Sequence, residues 1–208
     1  MLYPMLANNN KMATIKYVAS KCFTDEDIEK VKNRLDTNKW KEATVYSDRG
    51  DNLFIDPNTI DTTGRKAKSQ YLLPNQQDGH PFPQITHIIS DINNNYWNYD
   101  LRYITFADDA PAIFKYELGG KHSWHIDCSP TQATRKLSYS IQLSDSSDYE
   151  GGDLEFFDGD EKGNKVPPEI RKKGSIIVFA AFAWHRITPI TKGIRYAMVG
   201  WIHGPSYR

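Results

Sequence analysis

The sequence predicts an α+β chain that is mainly β, with helices bracing a small barrel or sandwich. Three observations carry this expectation. Helical apolar periodicity occurs in two stretches, both before residue 97. Period-two strand signals take over from about residue 101, and Gly, Pro and Asp/Ser clusters separate several of those runs.

In chain order, residues 13–23 (IKYVASKCF within them) read as a short strand. Thr24 then suits a helix N-cap, Asp27 can complete a capping box, and Asp25 and Glu26 suit the positive end of the helix dipole. Ile28, Val31 and Leu35 recur along one face to about Asp36. Residues 45–80 are rich in Asp, Asn, Gly, Thr and Gln, which predicts loops and short edge strands, with an access lid and a passive surface loop both open. A second helix follows Pro83, with Ile85, Ile88, Ile89 and Ile92 at i, i+3, i+4 and i+7, and the Asn93–Asn95 run ends it.

Candidate strands then fall at 101–106, 112–118, 121–127, 136–143, 152–158, 174–180, 184–188 and 194–202. Leu137, Tyr139, Ile141 and Leu143 alternate strictly with Ser138, Ser140 and Gln142, which puts the two sets on opposite faces. The expected layout is one domain over 1–208, with helical support and loops at 24–97 and a β core at 101–205.

Twenty-six basic and 26 acidic residues cancel, which argues against a broad cationic face for nucleic acid. Two cysteines, Cys22 and Cys128, cannot make a staple framework and lack C-x-x-C spacing, so a reduced, cytoplasmic setting is the simpler expectation. Pro4 and an Asn run interrupt any apolar leader segment, Met12 is open as an alternative start, and no stretch is apolar enough to predict a membrane span.

The chemistry gathers in HSWHIDCS. His125 and Asp127 are two apart in a strand-like context, so both side chains point to one face. A lone H-x-D carries little, but His185, at the end of IIVFAAFAW, offers a third ligand. Two histidines and a carboxylate leave metal positions open, as non-haem Fe(II) needs and as a zinc hydrolase could also use. His122 and Cys128 sit an odd number of positions from the pair, so a regular strand would turn both away from the metal.

Arg195 follows His185 by ten residues, across ITPITKG, whose Pro, Thr and Gly favour reversal. A hairpin near Ile190 would lay strand 194–202 beside the strand carrying His185. The guanidinium fork suits a carboxylate, and the competing reading pairs Arg195 with Asp153 or Glu155. Gly151-Gly152 opens a strand and lacks a Walker lysine, so it reads as a tight connection rather than a phosphate loop. Asp148, Glu150, Asp153 and Glu155 could touch a substrate, with a solvated acidic edge the simpler expectation.

The segments YELGGKHSWHID, RKLSYSIQLS, YEGGDLEFF and KKGSIIVFAAFAWHRITPITKGIRYAMVGWIHGP, in that order, resemble the prolyl-4-hydroxylase-like branch of the 2-oxoglutarate/Fe(II) oxygenases, including PKHD-type hydroxylases of bacteria and phages. The resemblance covers about residues 110–205. It implies a double-stranded β-helix, or jelly-roll. It implies Fe(II) on His125, Asp127 and His185, and 2-oxoglutarate clamped by Arg195 with help from Tyr116. Gln142 stands where relatives use another co-substrate tyrosine, and Trp201 matches a pocket-lining tryptophan. O2 would be the second co-substrate and ascorbate an optional reductant.

The same resemblance implies hydroxylation of a C–H bond with release of succinate and CO2, most readily on a prolyl residue of a peptide or protein. Free amino acids and other small molecules stay open as substrates. Asp127 retains the carboxylate that related halogenases lack. Nucleic-acid dealkylases commonly carry a second arginine six residues after the clamp, where this chain has Trp201. A cupin-like metal-binding module would not require Arg195. Trp124, Trp184 and Trp201 are candidate apolar walls, with core packing equally open for each.

Overall fold

In a computed structural model, which describes residues 6–7, 17–43, 63–72, 81–101, 109–160 and 162–206, the alternating run at 135–142 is an inner strand of the largest sheet. Strands β1 (Leu6–Ala7) and β2 (Tyr17–Lys21) precede helix α1 (Asp25–Lys32). Strands β3 (Lys41–Glu42), β4 (Arg65–Lys66) and β5 (Lys68–Tyr71) lead to helix α2 (Phe82–Tyr96). There follow β6 (Ala112–Tyr116), β7 (Lys121–His125), β8 (Arg135–Gln142), β9 (Tyr149–Gly151) and β10 (Leu154–Phe156). The chain ends through β11 (Asn164–Lys165), β12 (Ser175–Ala180), β13 (His185–Ile187), β14 (Ile190–Gly193) and β15 (Arg195–His203).

The large sheet runs β1-β2-β12-β8-β15-β6-β5-β3, the small one β11-β10-β13-β7-β4, and β9 pairs with β14 separately. All recorded pairings are antiparallel. Helices pack on one face of the large sheet. Ile28 and Val31 of α1 and Ile85, Ile89 and Ile92 of α2 share a core with Leu137, Tyr139, Ile141, Ile176 and Val178. Each such aliphatic side chain contributes about 1.5–3 kcal/mol through burial. The other face carries Phe114, Tyr116, Ile177 and Phe179, packed with Leu154, Phe156 and Ile187 of the small sheet. The fold is the double-stranded β-helix with helical support.

The predicted capping box is present: Thr24 Oγ1 accepts from the Asp27 amide at 3.1 Å, and Asp27 accepts from the Thr24 amide at 2.9 Å. Helix α1 stops at Lys32, short of the expected Asp36, where Asn33 caps it. Helix α2 starts one residue before Pro83 and runs through the Asn run to Tyr96. Asn93 does not break it, because its side chain turns inward and bonds both the carbonyl and the amide of Tyr99, each at 2.9 Å. Strands β4 and β5 meet the expectation of short strands within 45–80. The candidate strand 101–106 and the possible lid fall largely outside the described residues.

The expected chain path after His185 fails. Residues 190–193 are not the apex of a hairpin returning beside His185. They form β14, which pairs with β9, and β15 crosses to the large sheet between β8 and β6. Ile190 is 1% exposed, so its burial, rather than the turn chemistry of its neighbours, fixes this segment. Gly193, at φ +73°, then redirects the chain, and a Cβ there would run into the Asp148 carbonyl. Gly151 and Gly152, at φ +73° and +61°, make the tight connection expected of them, against Pro189, Ile190 and Arg195.

Among the described residues no helix is long and apolar enough to cross a membrane.

Candidate active site

His125 ends β7, and His185 begins β13 as its direct cross-strand partner. Their ring centroids are 4.1 Å apart. Asp127 lies just beyond β7, in a turn held by its own amide and that of Cys128, which share the Ala181 carbonyl at 2.8 and 3.3 Å. One donor atom from each of His125, Asp127 and His185 lies within 4.8 Å of the others. It is the one such group of three among the described residues. Asp127 carboxylate oxygens are 3.6 Å from His125 Nε2 and 3.5 Å from His185 Nε2.

Nδ1 of His125 donates to the Ser123 carbonyl and Nδ1 of His185 to the Ala183 carbonyl, both at 2.8 Å. A carbonyl can only accept, so each Nδ1 carries a proton and each Nε2 faces the Asp127 side. Burial holds His185 down at a pKa of about 4, with the neighbouring His125 adding to the effect. Burial opposes ionisation of Asp127, but His185, His125 and a hydrogen bond from Ser138 outweigh it and keep its pKa well below the usual carboxylate range. A neutral His185 beside an ionised carboxylate is the protonation state a divalent metal needs. The donor set therefore fits Fe(II), with no fourth protein ligand grouped with it among the described residues.

Arg195 opens β15 on the inner face of the large sheet, 2% exposed. One Nη donates to Gln142 Oε1 at 2.9 Å, and the guanidinium lies 5.5 Å from the ring of its cross-strand partner Tyr116. Its Nε is buried without a hydrogen-bond partner. The competing carboxylates are engaged elsewhere: Asp153 with Lys165 and Arg171, Glu155 with Arg186. A buried cation with an unmet donor fits an incoming carboxylate, and Gln142 takes part through its oxygen, orienting the arginine.

Two readings need correction. His122 does not turn away: β7 carries a bulge opposite His185 and Ile187, and the His122 ring stacks at 3.5 Å on His125. Trp124 lines none of the metal-facing side. It lies against Phe157 and Arg186, as the alternation from His125 requires. Trp184 is half exposed beside His185. Trp201 is on the inner face opposite Ser138, stacked 3.7 Å under Arg135.

The site roles of Ser138, Arg135 and Asp109 went unnoticed in the sequence. Ser138 Oγ donates to Asp127 Oδ2 at 2.6 Å, and its place on the polar side of the alternating strand was the available signal. Arg135 donates to the Asp127 carbonyl at 3.2 Å and pairs with Asp109 at 2.8 Å, contacts no local pattern encodes.

Fold and site together define a 2-oxo-acid-dependent iron oxygenase class. Residues 111–203 match the model of the 2OG-Fe(II) oxygenase superfamily. The chain is 27% identical over 191 residues to a PKHD-type hydroxylase of Pseudomonas fluorescens, covering 86% of this chain and 74% of that protein. It is 40% identical over 92 residues to one from Synechococcus sp. strain CC9902, covering 43% of this chain and 39% of that one. Much of the latter's length is therefore unmatched. By fold it is similar to a Pseudomonas putida prolyl-4-hydroxylase, with TM-score 0.68 and 17% identity over 90% of this chain and 92% of that one. It is also similar to a Trichoplax adhaerens prolyl hydroxylase, with TM-score 0.66 and 14% identity over 90% and 83%. Over residues 111–203 the chain is thus similar to the 2OG-Fe(II) oxygenase superfamily, and the relatives named here are PKHD-type hydroxylases.

Proposed function

We propose that this protein hydroxylates a prolyl C–H bond in a peptide or protein, using 2-oxoglutarate and O2 and releasing succinate and CO2. The observation that carries the reading is the buried Arg195, with an unmet Nε donor, on the sheet that faces the His125, Asp127 and His185 cluster. In this reading residues 101–205 are the catalytic core of one domain. His125, Asp127 and His185 hold Fe(II), which when bound supplies the oxidising chemistry. Arg195 binds the far carboxylate of 2-oxoglutarate, Gln142 orients its fork, and Tyr116 lines the same wall. Ser138 holds the Asp127 carboxylate in place. The inner-face aromatics keep the space dry, which strengthens the charge pairing at Arg195.

A chain-like substrate is supported by an open apolar groove of Ile126, Pro130, Ala133 and Phe182 beside the turn that carries Asp127. The names of the relatives support proline as its target. Ascorbate would serve as an auxiliary reductant. The test is anaerobic reconstitution with Fe(II) and 2-oxoglutarate, followed by addition of O2 with prolyl peptides, free proline or other small molecules. The reading predicts succinate formation matched to one added oxygen on a prolyl peptide. Matched turnover on a small molecule alone would reject the peptide assignment, and no succinate with any substrate would count against the reaction class.

A further inference from the structure

We propose that Arg65 holds His122 as a packed, non-ligating wall for His125, an inference that rests on the reading of His125 as a metal ligand. Arg65 and His122 are cross-strand partners on β4 and β7. Arg65 Nη2 lies 3.0 Å from His122 Nδ1. A guanidinium only donates, so Nδ1 accepts and the ring proton sits on Nε2. Neither nitrogen then offers a lone pair to a metal. The guanidinium is itself anchored 4.5 Å over the ring of Phe114, an inner-face residue of β6.

The two histidines of the cluster are supported unequally. His185 has Phe179 at 4.7 Å and Phe156 at 6.2 Å around its ring, and its side chain is 7% exposed. His125 has a side chain 21% exposed, and the ring stacked nearest on it is that of His122, at 3.5 Å and 33°. His122 thus does for His125 what Phe179 does for His185. A histidine so close to the cluster is also a fourth ligand in waiting, and four protein ligands would close the open positions that co-substrate and O2 require. The hydrogen bond from Arg65 leaves the ring its packing role and withholds its nitrogens.

The test uses anaerobic Co(II) titration of the full chain, read by affinity and by the visible absorption of the bound ion. His122→Phe, which keeps a ring and removes the nitrogens, should bind Co(II) like the wild type with the same spectrum. His122→Ala should bind about 10- to 100-fold more weakly, the usual effect of losing an outer support of a metal ligand. Arg65→Met should alter the spectrum as His122 joins the metal, and adding His122→Phe to it should restore the wild-type bands. Wild-type affinity in His122→Ala, or an unaltered spectrum in Arg65→Met, overturns the proposal. Wild-type protein that binds neither Co(II) nor Fe(II) instead overturns the underlying reading of the site, so the two failures are distinct.

Discussion

Ser138 reaches across from the large sheet to the turn of Asp127, its hydroxyl donating to Oδ2 at 2.6 Å. This bond joins the two sheets at the cluster and points the carboxylate's remaining lone pairs toward His125 and His185. Ser138→Ala should therefore weaken Fe(II) binding by about 10-fold or more while leaving the fold intact. Anaerobic titration checks this, and unchanged affinity would mean that the turn alone positions Asp127.

Gln142 offers a charge test at the opposite wall. Its Oε1 accepts from Arg195, so Gln142→Glu would put a permanent carboxylate on that guanidinium. The resident anion should compete with 2-oxoglutarate and cost about 2–5 kcal/mol, roughly 30-fold or more in affinity. Gln142→Leu should cost less, since it removes only an orienting contact. Equal 2-oxoglutarate affinity in the Glu and Leu variants would remove Arg195 from the co-substrate site.

His185 sets a pH dependence for the metal-free protein. Its folded pKa is depressed from 6.5 to about 4 by burial and by His125, so the unfolded chain binds the extra proton more readily. The sign follows: the contribution is fully present above about pH 6.5 and is lost as pH falls toward 4, with an upper size on the order of 3 kcal/mol. Thermal melts of the metal-free wild type should fall across this window more steeply than those of His185→Gln. Parallel curves for the two proteins would contradict it.

Gly193 tests the crossing that brings Arg195 to the site. At φ +73° and against the Asp148 carbonyl, Gly193→Ala should destabilise the protein by about 1–3 kcal/mol. The strain sits two residues before Arg195, so weakened 2-oxoglutarate binding should accompany the lower Tm. A variant with wild-type Tm and affinity would show that the turn tolerates a side chain.

The site was legible in the sequence to the extent that it rests on period and type. The polar face of Ser138, Ser140 and Gln142 follows from alternation, and His125, Asp127 and His185 are legible by residue type and spacing, although Asp127 lies in a turn past the end of β7 rather than on it. What escaped depends on contacts between remote segments. The bulge that turns His122 inward is set by pairing of β7 with β13, and no residue of HSWH announces it. The segment 190–193 reads as a turn because Pro189 precedes it and Thr191 and Gly193 lie within it. Burial of Ile190 and pairing with β9 make it a strand and send Arg195 into the other sheet. Asn93 likewise looked like a helix end and is instead an inward anchor for the backbone of Tyr99.

The central claim is that one cluster holds the metal while Arg195, on the facing sheet, independently holds the co-substrate. Anaerobic titration of Arg195→Ala with Fe(II) and then 2-oxoglutarate separates the two roles. Iron affinity should stay near wild type, and 2-oxoglutarate affinity should fall by about 30- to several-thousand-fold, equivalent to about 2–5 kcal/mol for a desolvated charge pair. Arg195→Lys should recover only part, because a point charge replaces a planar fork. A folded, iron-loaded Arg195→Ala protein that binds 2-oxoglutarate as tightly as the wild type would contradict the account.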